Sequence, residues 1–158
     1  MSVKLARFLE SVAAALRKIA INLYPAPEIT GEATSAQVRS FLKNELRIGT
    51  CIILDDHYKV LTKDSISTFF EFNQVDNYVY IIHQLDCDNF AFKSFVDFKD
   101  WCPLGALGIV IGVNTRGVYH AWNFFLMSDG EHLSIAFIEP QNDSIFDYTS
   151  ERLDTVII

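Results

Sequence analysis

Cys87, His120 and Glu139 are the residues whose types together support nucleophilic chemistry in this chain. A thiol attacks as its thiolate, an imidazole takes the proton, and a carboxylate fixes the tautomer of the imidazole and stabilises its charged form. Cys87 lies in "DCDNFAF" (residues 86–92), between two aspartates that disfavour a thiolate. A reactive thiol there requires a counter-charge from elsewhere in the chain.

The elements around these residues are predicted to supply it. Asp86 is a helix cap, Asp88 suits the first turn, and Ala91, Phe95, Phe98 and Trp101 recur at helical spacing before Pro103. Cys87 then stands at a helix N-terminus, where free backbone N–H groups lower a thiol pKa and donate to an oxyanion. Small Ala91, one turn on, lets a strand come close. Downstream, "GALGIVIGV", "VYHAWNFFLM" and "HLSIAFIEP" read as antiparallel strands. An Asp129-Gly130 two-residue turn sets His120 directly opposite Glu139. His120, Trp122, Phe124 and Leu126 then share a face with Leu133, Ile135, Phe137 and Glu139. The site forms if the Cys87 helix packs across that face, and a one-residue slip would separate the histidine from the glutamate. Asn123 falls on the other face and reads as structural.

Composition bounds the rest. The chain has 158 residues, half of them apolar, with thirteen Phe, six Tyr and two Trp, enough for one compact core. Its net charge of -7 and scattered basic residues exclude a nucleic-acid partner. Three cysteines make no disulfide framework and point to a reducing, cytoplasmic setting; Cys51 and Cys102 read as packing residues. His57 reads as a surface-turn residue. His83 and His132 lack the close ligand spacing of a zinc site, and Trp101 and Trp122 read as core.

No stretch has the length of a signal core or a membrane span. The first 23 residues form an amphipathic helix with Leu5, Leu9, Val12, Leu16, Ile19 and Leu23 on one stripe. That stripe suits packing on its own domain, or binding a partner helix, a second copy or a membrane surface. "YPAPEITGEATS" breaks regularity, giving an arm and linker over residues 1–30 and a main domain over 31–158. A second helix starts at Thr34 or Ser35, a third near Asp64, and "GTCIILDDHYKVLT" reads as a strand pair or an irregular crossing.

"DCDNFAF", "HAWNFF", "DGEHLSIAFIEPQND" and "YKVLTKDSISTFFEFNQVDNYVY" resemble the C-terminal papain-like cysteine protease domain of the fairy-ring mushroom agglutinin and related short bacterial and phage proteins, over about residues 38–143. The resemblance implies an α+β, papain-like fold, with N-terminal helices and a nucleophile helix packed on an antiparallel sheet. It implies a nucleophile at Cys87, a base at His120 and an orienting carboxylate at Glu139, acting on a protein or peptide substrate as a peptidase or amidase. The alternative it leaves is an inactive papain-like interaction module. Gln84 is an oxyanion candidate, although three residues before the cysteine is closer than the family spacing, and Gln141 lines the cleft. The sequence requires no cofactor; the resemblance raises a divalent cation such as calcium, with Asp86, Asp88 and Asp100 as possible ligands. The agglutinin's lectin domain has no counterpart in these motifs, so no sugar binding is expected from them.

Overall fold

The computed structural model describes residues 3–81, 84–128, 131–146 and 152–158. Helix α1 (Val3–Ile21) leads into strand β1 (Ile29–Thr34), helix α2 (Ser35–Glu45), and strands β2 (Ile48–Ile52) and β3 (His57–Leu61). Helix α3 (Lys63–Asn73) and helix α4 (Cys87–Trp101) follow, then β4 (Leu107–Val113), β5 (Tyr119–Ser128), β6 (Leu133–Glu139), β7 (Ser144–Phe146) and β8 (Arg152–Ile157).

Local chemistry sets the helix starts. Thr34 caps α2 in a capping box: its hydroxyl accepts from the Gln37 N–H at 3.3 Å, and Gln37 Oε1 accepts from the Thr34 N–H at 2.8 Å. Thr62 caps α3 by accepting from the Ser65 N–H. At α4 the Asp86 N–H donates to Asn89 Oδ1 at 3.1 Å, and the Asn89 N–H donates to Asp88 Oδ1 at 3.0 Å.

The strands form one eight-stranded open sheet, in the order β1-β3-β5-β4-β8-β2, with β6 on β5 and β7 on β6. The pairing corrects the expected papain-like arrangement of an antiparallel sheet. β2 runs parallel to β8, and β3 meets the end of β5 in parallel at Leu61 and Met127, so the architecture is mixed α/β. In the stretch read as linker, Ile29–Thr34 is a strand that pairs antiparallel with β3, which adds a further strand to the sheet.

Each sheet face carries its own core. Trp122, Phe124, Leu126 and Phe137 pack with Val38 and Leu42 of α2 on one side. On the other, Leu107, Phe125 and Ile138 meet Phe98 of α4 with Phe69 and Phe70 of α3, and Ala91 meets Ile109 and Ala121. Three rings join α3 to α4: Phe69 stands edge-on to Phe98 at 5.1 Å and stacks on Trp101 at 5.3 Å. Asn123, fully buried, ties α4 to the sheet by donating from Nδ2 to Ala91 O at 3.0 Å and to Gly108 O at 3.1 Å. Cys102 is buried and Cys51 half-buried against the first core. His57 is exposed, at the start of β3 rather than in a turn.

Candidate functional site at Cys87, His120 and Glu139

The register places the histidine and the glutamate together by a different route from the one expected. Asp129 and Gly130 lie outside the described residues, but the flanking pairs, Ser128 with Leu133 and Asn123 with Ile138, shift the ladder by two positions from the predicted one. An even shift preserves faces. Glu139 is therefore diagonal to His120 on the same side of the sheet, and His120 Nε2 meets Glu139 Oε2 at 2.6 Å. The other carboxylate oxygen accepts from the Gln141 N–H at 3.3 Å, so Gln141 serves through its backbone to hold Glu139. The imidazole stacks on Trp122, with centroids 5.5 Å apart.

Cys87 arrives from the opposite side. α4 packs on the face of Ala121, Asn123 and Phe125, not on the face of His120 and Glu139. Contact is made instead at the strand edge. The Leu126 N–H donates toward β4, to Ala106 O, so by the two-residue period the Ala121 N–H points toward the β6 side. Pairing with β6 stops at Asn123, and the Ala121 N–H lies close enough to the Cys87 thiol to lower its pKa. The sulfur thus lies beside the peptide that joins His120 to Ala121. Among the described residues no hydrogen bond joins Cys87 to the His120 ring itself. With Nε2 held by Glu139, Nδ1 is the imidazole nitrogen left over, and it is the one nearer the main chain.

Burial pushes the Cys87 thiol above its usual range; the Ala121 N–H opposes this, Asp86 and Asp88 add to it, and the Asp88 N–H opposes it. The helix start therefore does not by itself bring the thiol below its usual range. The carboxyl of Asp88 is also raised, first by its hydrogen bond with Asp86 and then by burial. Tyr80, stacked on Phe90 with centroids 6.5 Å apart, stands close enough to feel the charge of Cys87, and it and Ile81 leave apolar surface exposed.

The other candidates divide. Gln84 is exposed in a tight turn whose N–H donates to Ile81 O. Asp86 and Asp88 are together at the start of α4, whereas Asp100 is near its end, 3.5 Å from Arg17. Twelve residues of helix, about 18 Å, separate Asp88 from Asp100, so these three do not form one cation site. Among the described residues no group of three or more His, Cys, Asp or Glu side chains is placed to hold a metal ion; His83 lies outside them. The residue that sequence reasoning missed is Ala121, which acts through its backbone; its only signal was its place after His120.

Asp143 follows Glu139 in the β6–β7 loop at φ 56°, with Oδ1 buried and without a hydrogen-bond partner. Burial first, then Asp76 and Glu71, raise its carboxyl to about 7. The folded state therefore holds this proton more tightly than the unfolded chain, and stability falls as pH rises from the ordinary value of 3.8 through about 7. Asp143→Asn keeps a residue that tolerates this backbone. It is expected to stabilise the protein above pH 7 by about 1–2 kcal/mol, the full shift being discounted for solvent screening, and to give nothing near pH 4. Urea unfolding at both pH values checks this; an equal effect at both would remove the charge argument.

Fold and site together define a mixed α/β domain with a thiol, an imidazole and a carboxylate gathered where one sheet edge frees a backbone amide. The chain belongs to the family of ricin-type β-trefoil lectin C-terminal domains, whose model matches residues 30–158. Among solved structures it is similar to the PSL1a–E64 complex, with 22% identity, a TM-score of 0.70, and coverage of 80% of this chain and 51% of that one. It is also similar to the Polyporus squamosus lectin bound to the human-type influenza-binding epitope Neu5Acα2-6Galβ1-4GlcNAc, with 25% identity, a TM-score of 0.62, and coverage of 80% and 49%. The chain spans about half the length of these lectins. No curated protein matches it at a significant level.

These findings correct the papain-like reading. A lectin C-terminal-domain family and lectin neighbours stand in place of the papain-like cysteine protease. The peptidase or amidase activity, the inactive papain-like module and the peptide substrate fall with that resemblance. The fold described above is one open sheet flanked by helices, with no threefold repeat among the described residues.

Proposed function

We propose that the chain serves a glycan-binding protein of the lectin kind, as a domain that holds a small ligand at a thiol-centred site formed by Cys87, His120 and Glu139. One observation carries this: the Cys87 thiol lies close to the Ala121 N–H, one peptide bond from an imidazole that Glu139 fixes at 2.6 Å. In this arrangement Cys87 gives its proton to His120 Nδ1 as the sulfur adds to an electrophilic carbon of the ligand; a bond from that carbon to a neighbouring ligand atom opens and takes up the electron pair, and the imidazolium, stabilised meanwhile by Glu139, passes the proton to that atom so that nothing leaves. The exposed ring of Tyr80 covers the rest of the ligand. Sugar recognition belongs to the whole lectin, of which this chain spans about half.

E64, found with PSL1a, is the first ligand to test. The intact mass of the wild-type chain is expected to rise by one E64, and that of Cys87→Ser to stay unchanged. An unmodified wild type, or an equally modified variant, would sink the assignment. A second reading, glycan binding by this chain itself, is favoured by the trisaccharide on the Polyporus squamosus lectin. Calorimetric titration with that trisaccharide separates the two: heat of binding to this chain alone would place a sugar site on it.

A further inference from the structure

Helix α1 turns its apolar side away from its own domain. None of its residues is buried, and Leu9, Val12, Leu16 and Ile19 are 40–60% exposed. What ties it down is polar: Arg17 pairs with Asp97 and lies 3.5 Å from Asp100 on α4. Asp97 is largely buried, and its carboxyl is raised by burial, against which Lys93 and Arg17 act. Half-buried Ile21 is on the same side, and a cleft of about 540 Å³ remains between α1 and the end of α4. At 100° per residue, the contacting side is roughly 140° round the helix from the exposed stripe.

The stripe keeps a seven-residue period. Within α1, Leu9 and Leu16 occupy one core position, and Leu5, Val12 and Ile19 the other. The positions flanking this seam are Ala6, Ala13 and Ala20 on one edge and Phe8 and Ala15 on the other. No charge borders the seam, and the alanines allow close approach of a second helix. An antiparallel copy turned about Ala14 sets Leu9 against Ile19 and Val12 against Leu16, then repeats both layers by symmetry.

Charge decides against a lipid surface. α1 carries Lys4, Arg7, Arg17 and Lys18 against Glu10, a net charge of +3, which leaves -10 on the remainder of a chain of -7. An anionic membrane would be repelled by that body, while a copy of α1 meets only the neutral seam. We propose that α1 pairs antiparallel with α1 of a second copy of this chain. The contact is on the order of 1,000 Å² in total, at the weak end of specific interfaces.

Sedimentation equilibrium of the full chain tests it, with Leu9→Glu/Leu16→Glu as the broken variant. Because α1 has no buried residue, the fold should survive, and circular dichroism confirms this. The wild type is expected to approach a dimer at about ten times its dissociation constant, and the variant to stay monomeric. A wild type monomeric at roughly 100 μM, or a variant that still dimerises, overturns the pairing. Flotation with phosphatidylcholine/phosphatidylglycerol vesicles adds a second readout: binding by a monomeric wild type, lost in the variant, would give the face to lipid and overturn the proposal. A parallel pair is overturning too, and is recognised by disulfide cross-linking of Leu9→Cys to itself, which the antiparallel geometry holds about 15 Å apart.

Discussion

His120→Ala is expected to slow alkylation of Cys87 by iodoacetamide about tenfold or more near neutral pH, with Cys51 and Cys102 unaffected. The thiol starts from an unfavourable place, raised by burial and by Asp86 and Asp88. The backbone amides of Ala121 and Asp88 offset part of this, and a base that receives the proton offsets the rest. Glu139→Gln should fall between wild type and His120→Ala, because the amide oxygen still meets Nε2 while the charge that favours imidazolium is gone. Peptide mapping by mass spectrometry reads each cysteine separately. If Cys87 in His120→Ala reacts as fast as in the wild type, the imidazole plays no part in its chemistry.

Gly108→Ala should cost about 2–3 kcal/mol of folding stability. Gly108 pairs with Phe124 across β4 and β5, and a methyl group added there would lie 2.5 Å from the Ile157 carbonyl oxygen and press on the Phe124 ring. A ring can turn, but the carbonyl belongs to the backbone of β8, which pairs with β4 through Ile109 and Ile157. Relief therefore means moving a strand, or moving Asn123, whose amide donates to Gly108 O. Gly31→Ala is the contrast, since nothing lies within 4 Å of the added methyl. Urea denaturation of both reads the difference. If Gly108→Ala falls within about 0.5 kcal/mol of wild type, the close approach of β4 and β8 is not a constraint.

Local signals in the sequence were sufficient where the physics is local. Thr34 and Asp86 mark helix starts because capping involves residues three apart, and the alternation in β5 and β6 sorts Trp122 and Phe137 to one face. Register was harder: the predicted Asp-Gly turn was two residues out, and the histidine–glutamate pair survived only because the error was even. The face chosen by α4 was not legible at all. It depends on Ala91 and Phe98 meeting Ile109 and Leu107, contacts between separate segments that no spacing encodes. Strand β1 was hidden under two prolines and a glycine that suggested a linker. The family expectation failed for a related reason: motifs around a cysteine and a histidine report chemistry that several families share, and the family match over residues 30–158 decides membership where the motifs do not.

β8 follows every other strand in the chain, yet it lies between β4 and β2. It meets β4 along Ile109 to Val113 and β2 along Ile48 to Ile52, while Ile158 O accepts from the Tyr58 hydroxyl and the Leu54 N–H. During synthesis, both neighbouring edges therefore wait without this partner until β8 has emerged from the ribosome. The growing chain can build α4 on β4 and β5 early, but this part of the sheet closes only as β8 slots in. A nascent chain held before that point presents two open strand edges to its neighbours, which makes the period of translation its time of greatest exposure to misassembly.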